Sequence, residues 1–325
     1  MRTRSWHAGD LHQHSIYSSP VYGGTDSAPD TLEEVHAFMR GKGLRFGAVS
    51  DHHNILNHAQ WLRFESPDFI PIISKEISTG HGHVMALHTP VDVVFQYQTG
   101  GDEAVRREFA RICDEIHAAG GIAQLNHPRD RDRNISFPER FTDLIGIFDT
   151  MEVWNGSETM EPGTKNGDAF ALWLRLLKAG VYLPATAGTD QHRLREFMRE
   201  RQIRTVVFAE AFTRDHILQA IKRGNSFLTS GPFVEIEVNG ASYGETATHD
   251  GEVDLQIELH AEEAIDTLYV YDDIREAPTE IPIGSATFRG TVRHAAGAAS
   301  WVFFVAGSST WNKAVTNPVF LKRQV

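Results

Sequence analysis

Apolar and polar positions follow one rhythm up to about Gly224 and another beyond it. In the first stretch, short apolar runs at 11–16, 44–50, 69–74, 84–87, 122–125, within 145–153, at 181–187 and at 203–208 read as strands. Between several of them the apolar spacing is helical. Leu32, Val35, Phe38 and Met39 form one such stripe, after Asp30-Thr31-Leu32-Glu33, which reads as a capping box with Asp30 as cap; Gly41 and Gly43 stop the helix. Val105, Phe109, Ile112 and Ile116 form another, in a helix expected over 103–119 and closed by Gly120-Gly121. Further helices are expected at 168–179 and 214–223. From Ser226 onward the runs are short and alternating, at 233–238, 253–259, 267–271, 287–292, 301–305 and 319–321, and are separated by turn residues such as Asn239-Gly240 and Asp250-Gly251. The pattern predicts an α/β barrel over 1–225, followed by a small antiparallel β-sandwich over 226–325 and packed against it.

Polar clusters stand at the ends of the first-stretch runs: Asp10-Leu11-His12-Gln13-His14, Ser50-Asp51-His52-His53, Glu76, Gly82-His83, Asn126-His127-Pro128 and Gly188-Thr189-Asp190-Gln191-His192. In an extended strand His12 and His14 point to one face, roughly 6–7 Å apart, close enough to share one metal ion. An open doubly wound sheet would place a glycine-rich phosphate turn after its first strand; His-x-His in that position favours the barrel, whose site lies at the C-terminal ends of its strands.

Composition narrows the classes. The chain is 41% hydrophobic and 23% charged, as in ordinary soluble proteins, and no apolar run is long enough to span a bilayer. The basic start, Met1 to His7, leads into no apolar segment and does not read as a secretory signal. The single cysteine, Cys113, makes no internal disulfide and reads as a small buried residue, so a cytoplasmic location is expected. The net charge of −12 disfavours nucleic acid as a partner, although carboxylates that ligate cations are counted in that sum. Arg129, Arg131 and Arg133 follow His127, and Arg193 and Arg195 follow His192; guanidinium groups there would suit an anionic small-molecule substrate. Trp301, Phe303 and Trp311 read as core or sheet-face residues.

With these motifs, and with Glu152-Val153-Trp154-Asn155-Gly156, Gly231-Pro232 and Thr316-Asn317-Pro318, the chain resembles the PHP (polymerase and histidinol phosphatase) superfamily, most closely its CehA/McbA-like branch with a C-terminal β domain. The resemblance spans nearly the whole chain. It implies a distorted (β/α)7 barrel and two or three divalent ions, zinc, manganese or iron. His12, His14, Glu76 and Asp190 would hold one ion. Glu76, His83 and His127 would hold a second, and His52 with His192 a third. The usual further donor for the third is missing at Ser18-Ser19-Pro20, where Asp26 is the available substitute. Asp51 is expected to orient an imidazole, and His53 and His192 to serve catalysis. The activity implied is hydrolysis, of a phosphoester first and of a carboxyl ester, carbamate or amide second. A non-catalytic scaffold whose β domain binds a partner or glycan is the contrasting class.

Overall fold

In a computed structural model the chain is described over residues 5–324, apart from 25, 98, 133, 198–201, 309 and 310. The first strand, β1 (Ser5–Gln13), pairs in parallel with β2 (Phe46–Val49), and β2 with β3 (Ile70–Ser78). Next, β4 (His83–Leu87) runs antiparallel to both β3 and β5 (Ile122–Asn126). Parallel pairing resumes from β5 to β6 (Thr150–Asn155) and β7 (Ala185–Gly188). The circle closes on β1 just past the strand ends: Asp190 N–H donates to His12 C=O at 2.8 Å and His14 N–H to Gln191 C=O at 3.0 Å. The barrel is therefore parallel except at β4. That reversal matters for the site, because the start of β4, not its end, reaches the rim where the other strands finish.

The chain then adds β8 (Arg204–Ala209), antiparallel to β1, and β9 (Ser226–Thr229), which pairs with β8 on one side and with β15 (Lys313–Thr316) on the other. The remaining strands are β10 (Phe233–Val238), β11 (Thr246–His249), β12 (Glu252–Asp272), β13 (Thr279–Ala295), β14 (Trp301–Gly307) and β16 (Val319–Arg323), and their pairing is antiparallel except for β11 with β16. Thus β9 carries the hydrogen-bonded sheet across the expected boundary at 225/226. The two parts also share apolar packing: Trp173 meets Phe303 edge-on at 5.0 Å, and Phe170 meets Tyr271 edge-on at 5.9 Å. Asn317, wholly buried, holds both backbone groups of Ala185 through its carboxamide (2.8 and 3.1 Å), at the foot of β7.

Several local expectations shift, among them the first strand, expected at 11–16 and found at Ser5–Gln13. Thr31, not Asp30, caps the helix Leu32–Gly41: its hydroxyl accepts from Glu34 N–H while the Glu34 carboxylate accepts from Thr31 N–H, the same box one residue later. The runs expected at 253–259 and 267–271 lie in one 21-residue strand, β12, with a register break between His260 and Ile265. Ala261-Glu262-Glu263-Ala264 carries none of the residues that favour a turn, so the chain bulges and continues. Among the described residues no helix is long and apolar enough to cross a membrane. Cys113 is buried in the barrel's core.

Candidate metal centre

The rim of the barrel gathers the polar clusters. Extended backbone puts His12 and His14 on one face, with ring centres 5.2 Å apart. Glu76 comes from β3, and His83 from the start of the reversed β4. His127 and Asp190 follow β5 and β7 with φ of 24° and 50°, a left-handed backbone that L-residues hold only where the surroundings impose it. For Asp190 the surroundings are visible. At Gly188 a Cβ would sit 2.4 Å from the His12 Cβ and 2.8 Å from Glu152 Oε1, so only glycine lets β7 come this close to β1. Asp10, wholly buried, ties the same seam: its carboxylate accepts from His12 N–H (3.1 Å), Gln13 Nε2 (2.8 Å), Thr189 N–H (3.1 Å) and the Thr189 hydroxyl (2.6 Å). Burial nevertheless pushes its pKa up to about 6.

Glu76 is the hub. Its Oε2 lies 3.2 Å from His12 Nε2 and 3.4 Å from His14 Nε2; Asp190 Oδ1 lies 3.3 and 3.1 Å from the same two nitrogens. Donor atoms held tetrahedrally at about 2.0–2.1 Å from a cation are themselves roughly 3.3 Å apart. His12 Nε2, His14 Nε2 and Glu76 Oε2 are buried without a hydrogen-bond partner, as expected of atoms that face a common ion. The other carboxylate oxygen, Oε1, faces the neighbouring group: His83 Nδ1 and His127 Nε2, each at 3.0 Å, and Asn126 Nδ2 at 2.8 Å. One carboxylate thus presents an oxygen to each of two sets of imidazoles, the geometry of a bridging ligand.

Neighbouring groups fix the tautomers. The Ser18 hydroxyl has one proton, given to Asp51 Oδ1 at 2.8 Å, so His14 Nδ1, 2.8 Å from the same oxygen, must carry its own proton. That leaves the His14 Nε2 lone pair pointing into the centre. Asp51 also takes Ser15 N–H and hydroxyl and Asn57 Nδ2, and so acts on His14 through Ser18. His12 Nδ1 faces Glu152 Oε1 at 3.0 Å, which aims its Nε2 in the same way. Glu152 Oε2 accepts from His127 N–H and Asn155 Nδ2, and Asn155 Nδ2 also reaches Asp190 Oδ2 at 3.3 Å. Burial lowers the His12 pKa, but Asp190, Glu76 and Glu152 outweigh it and hold the imidazole well above its ordinary value. Burial likewise raises Glu76, and the surrounding histidines, His12 first, hold it well below the carboxylate range. Without a cation, a proton sits where the carboxylates call for positive charge.

A third group adjoins the first two. The ring of His14 stacks on His192 at 4.0 Å and on His52 at 4.6 Å. Asp26 Oδ2 lies 2.6 Å from His52 Nε2 and 3.2 Å from His192 Nε2. The loop after His-x-His therefore supplies a carboxylate to these histidines, later in the sequence than Ser18-Ser19-Pro20. His53 is half-buried beside His52 with φ of 61°, and burial lowers its pKa below the usual histidine value. The arginines are engaged within the chain. Arg129 holds the Phe137 carbonyl and Glu139, Arg131 holds Asp168 and the Gly163 carbonyl, and Arg193 holds Ser27. Arg133 lies outside the described residues.

No protein-family model matches the chain, and no curated protein sequence does. Among solved structures it is similar to a two-domain protein from Bacteroides vulgatus ATCC 8482 named as containing a predicted PHP-like metal-dependent phosphoesterase: 15% identity, TM-score 0.51, covering 95% of this chain and 92% of that one. This chain has the PHP-like two-domain fold. A weaker similarity, TM-score 0.38 at 18% identity over 58% of this chain and 88% of the other, is to an amidohydrolase from Chromobacterium violaceum with bound sulfate and no metal. The clusters of His, Glu and Asp at the rim are suited to hold divalent metal. The motifs contain Asp10, Ser18 and Asn126 but give them no role, because the fold brings their partners Thr189, Asp51 and Glu76 to them. Reading motifs also passes over Lys165, which no motif contains.

Proposed function

We propose that this chain is a metal-dependent hydrolase of phosphoesters. The observation that carries the reading is the Glu76 carboxylate, with Oε2 among His12, His14 and Asp190 and Oε1 among His83 and His127, at the barrel rim and buried except for the half-buried Asp190. His12, His14, Glu76 and Asp190 would hold one cation and Glu76, His83 and His127 a second; His52, His192 and Asp26 would hold a third. Zinc, manganese and iron suit this imidazole and carboxylate set. A cation there supplies the charge that acidifies a water and neutralises the ester oxygens.

The chain's own groups set the rest. Glu152 and Ser18 keep Nε2 of His12 and His14 aimed inward. In the metal-free chain burial opposes a proton on His192, but the hydrogen bond to Asp26 and the charge of Asp190 raise its pKa to about 9. We assign to His192, held by Asp26 at 3.2 Å at the edge of the cluster, the proton given to the leaving oxygen when the third position holds no cation. His53, kept neutral by burial and the neighbouring His52, is suited to accept one. The substrate is an anionic small molecule. The test is turnover by the purified chain, with manganese or zinc added, of a phosphomonoester, a phosphodiester and an aryl carbamate. Hydrolysis of a phosphoester that stops with chelator is expected, and turnover of the carbamate alone would replace this reading with its ester and amide counterpart.

A further inference from the structure

The helix Lys165–Lys178 starts beside the centre, its first turn fixed by the Thr164 hydroxyl accepting from Gly167 N–H at 3.0 Å. Lys165 Nζ donates to Asn155 Oδ1 at 2.8 Å and lies 3.3 Å from Asp130 Oδ2. An ammonium has three N–H groups. Asn155 and Asp130 are the ammonium's only partners among the described residues, so one N–H is left over. The side chain is 17% exposed, enough to be reached and buried enough for its charge to count. The Asn155 amide nitrogen in turn meets Asp190, so a single carboxamide separates this cation from a carboxylate of the cluster. Gly156, with φ of 66°, lies between them: a Cβ there would stand in ordinary contact, 3.7 Å from Lys165 Nζ and 3.7 Å from the Thr189 carbonyl, so the ammonium and the Asp190 segment flank the same residue. The arginines expected to take an anion are less well placed. Arg129 has given its guanidinium to Glu139 and a carbonyl, and the Arg131 side chain, 54% exposed, pairs with Asp168.

Resting on the phosphoesterase reading above, we propose that Lys165 binds an anionic oxygen of the substrate while the scissile ester lies over the histidine cluster, and that this contact selects for phosphate-bearing substrates. Asn155 and Asp130 hold the ammonium in place, and Asp190 shares Asn155 with it. A lysine is suited to this as a compact charge that meets a phosphate oxygen in any orientation.

The test uses the full chain loaded with manganese, as wild type, Lys165→Met and Lys165→Arg, with inorganic phosphate as probe in titration calorimetry and 4-nitrophenyl phosphate as substrate. Loss of one charge-assisted hydrogen bond predicts phosphate binding weakened by roughly tenfold or more in Lys165→Met. KM should rise by a similar factor and kcat change less, with metal content and melting temperature as in wild type. Lys165→Arg should recover most of the affinity. Phosphate affinity within twofold of wild type in Lys165→Met overturns the proposal. So does a parallel loss of metal in both variants, which would show that Lys165 acts only by holding Asn155. Lys165-dependent phosphate binding by a wild type that hydrolyses no phosphoester would uphold the anion site and overturn the phosphoesterase reading instead.

Discussion

At the barrel rim Asp10, His12, Glu76 and Glu152 are at most 1% exposed, whereas in the strands beyond Gly224 equally buried positions are taken by Val234, Ile236, Leu255, Val270 and Phe304. The second kind of burial is favourable in itself, about 25 cal/mol for each Å² of apolar surface removed from water. The first is unfavourable by several kcal/mol per ion unless charges and hydrogen bonds offset it. In the rim the offset comes from charge, since His12 Nε2, His14 Nε2 and Glu76 Oε2 have no hydrogen-bond partner while neighbouring charges outweigh burial at His12 and Glu76. Buried donor atoms that face one another without hydrogen bonds are suited to hold a cation, and the strands beyond Gly224 show what the same chain builds from apolar packing alone.

That contrast can be broken by substitution. Glu76→Gln removes the charge shared by both sets of imidazoles. It should abolish metal loading and lower hydrolysis by about a thousandfold or more, the equivalent of ~4 kcal/mol of lost electrostatic stabilisation, with the fold retained by circular dichroism. Phe304→Ala should do the reverse, lowering stability by about 3–5 kcal/mol in denaturant unfolding while leaving metal stoichiometry unchanged. If Phe304→Ala lost metal as Glu76→Gln does, the two regions would not be separable. Glu152→Gln sharpens the picture within the rim: it keeps the shape but weakens the hold on His12 Nδ1, and metal affinity should fall about 10–100-fold. The smallest effect concerns pH. Asp26 and Asp190 raise the His192 pKa to about 9 in the metal-free protein, against an ordinary value near 6.5. A folded-state pKa above the unfolded one contributes stability that is complete below about 6.5 and lost as pH rises through about 9. The melting temperature of chelated protein should therefore fall between those values, on the order of a few degrees. His192→Gln should flatten that fall, and an unchanged slope would remove the Asp26–His192 pair from the account.

Much of the rim was legible because strand alternation and residue type are local properties: His12-x-His14 faces one way by geometry alone. The place of His83 was legible only as part of a motif, since a reversed β4 is needed to bring the start of a strand to the same edge. The arginines show the limit. Three guanidinium groups after His127 read as an anion site, but Glu139 and Asp168, 10 and 37 residues further on, are brought to Arg129 and Arg131 by the fold. Lys165 shows the converse, a cation in no motif that the start of its helix sets against Asn155. In the C-terminal strands alternation gave the buried faces, but not the length of β12, because a bulge without turn residues looks in sequence like an ending.

The most direct test is elemental analysis of the chain purified anaerobically with manganese and zinc supplied. Two or more divalent ions per chain in the wild type, falling below one in Glu76→Gln, is the predicted result. Fewer than one ion per wild-type chain would mean that the imidazoles and carboxylates around Glu76 hold one another and no metal, contradicting the account at its centre.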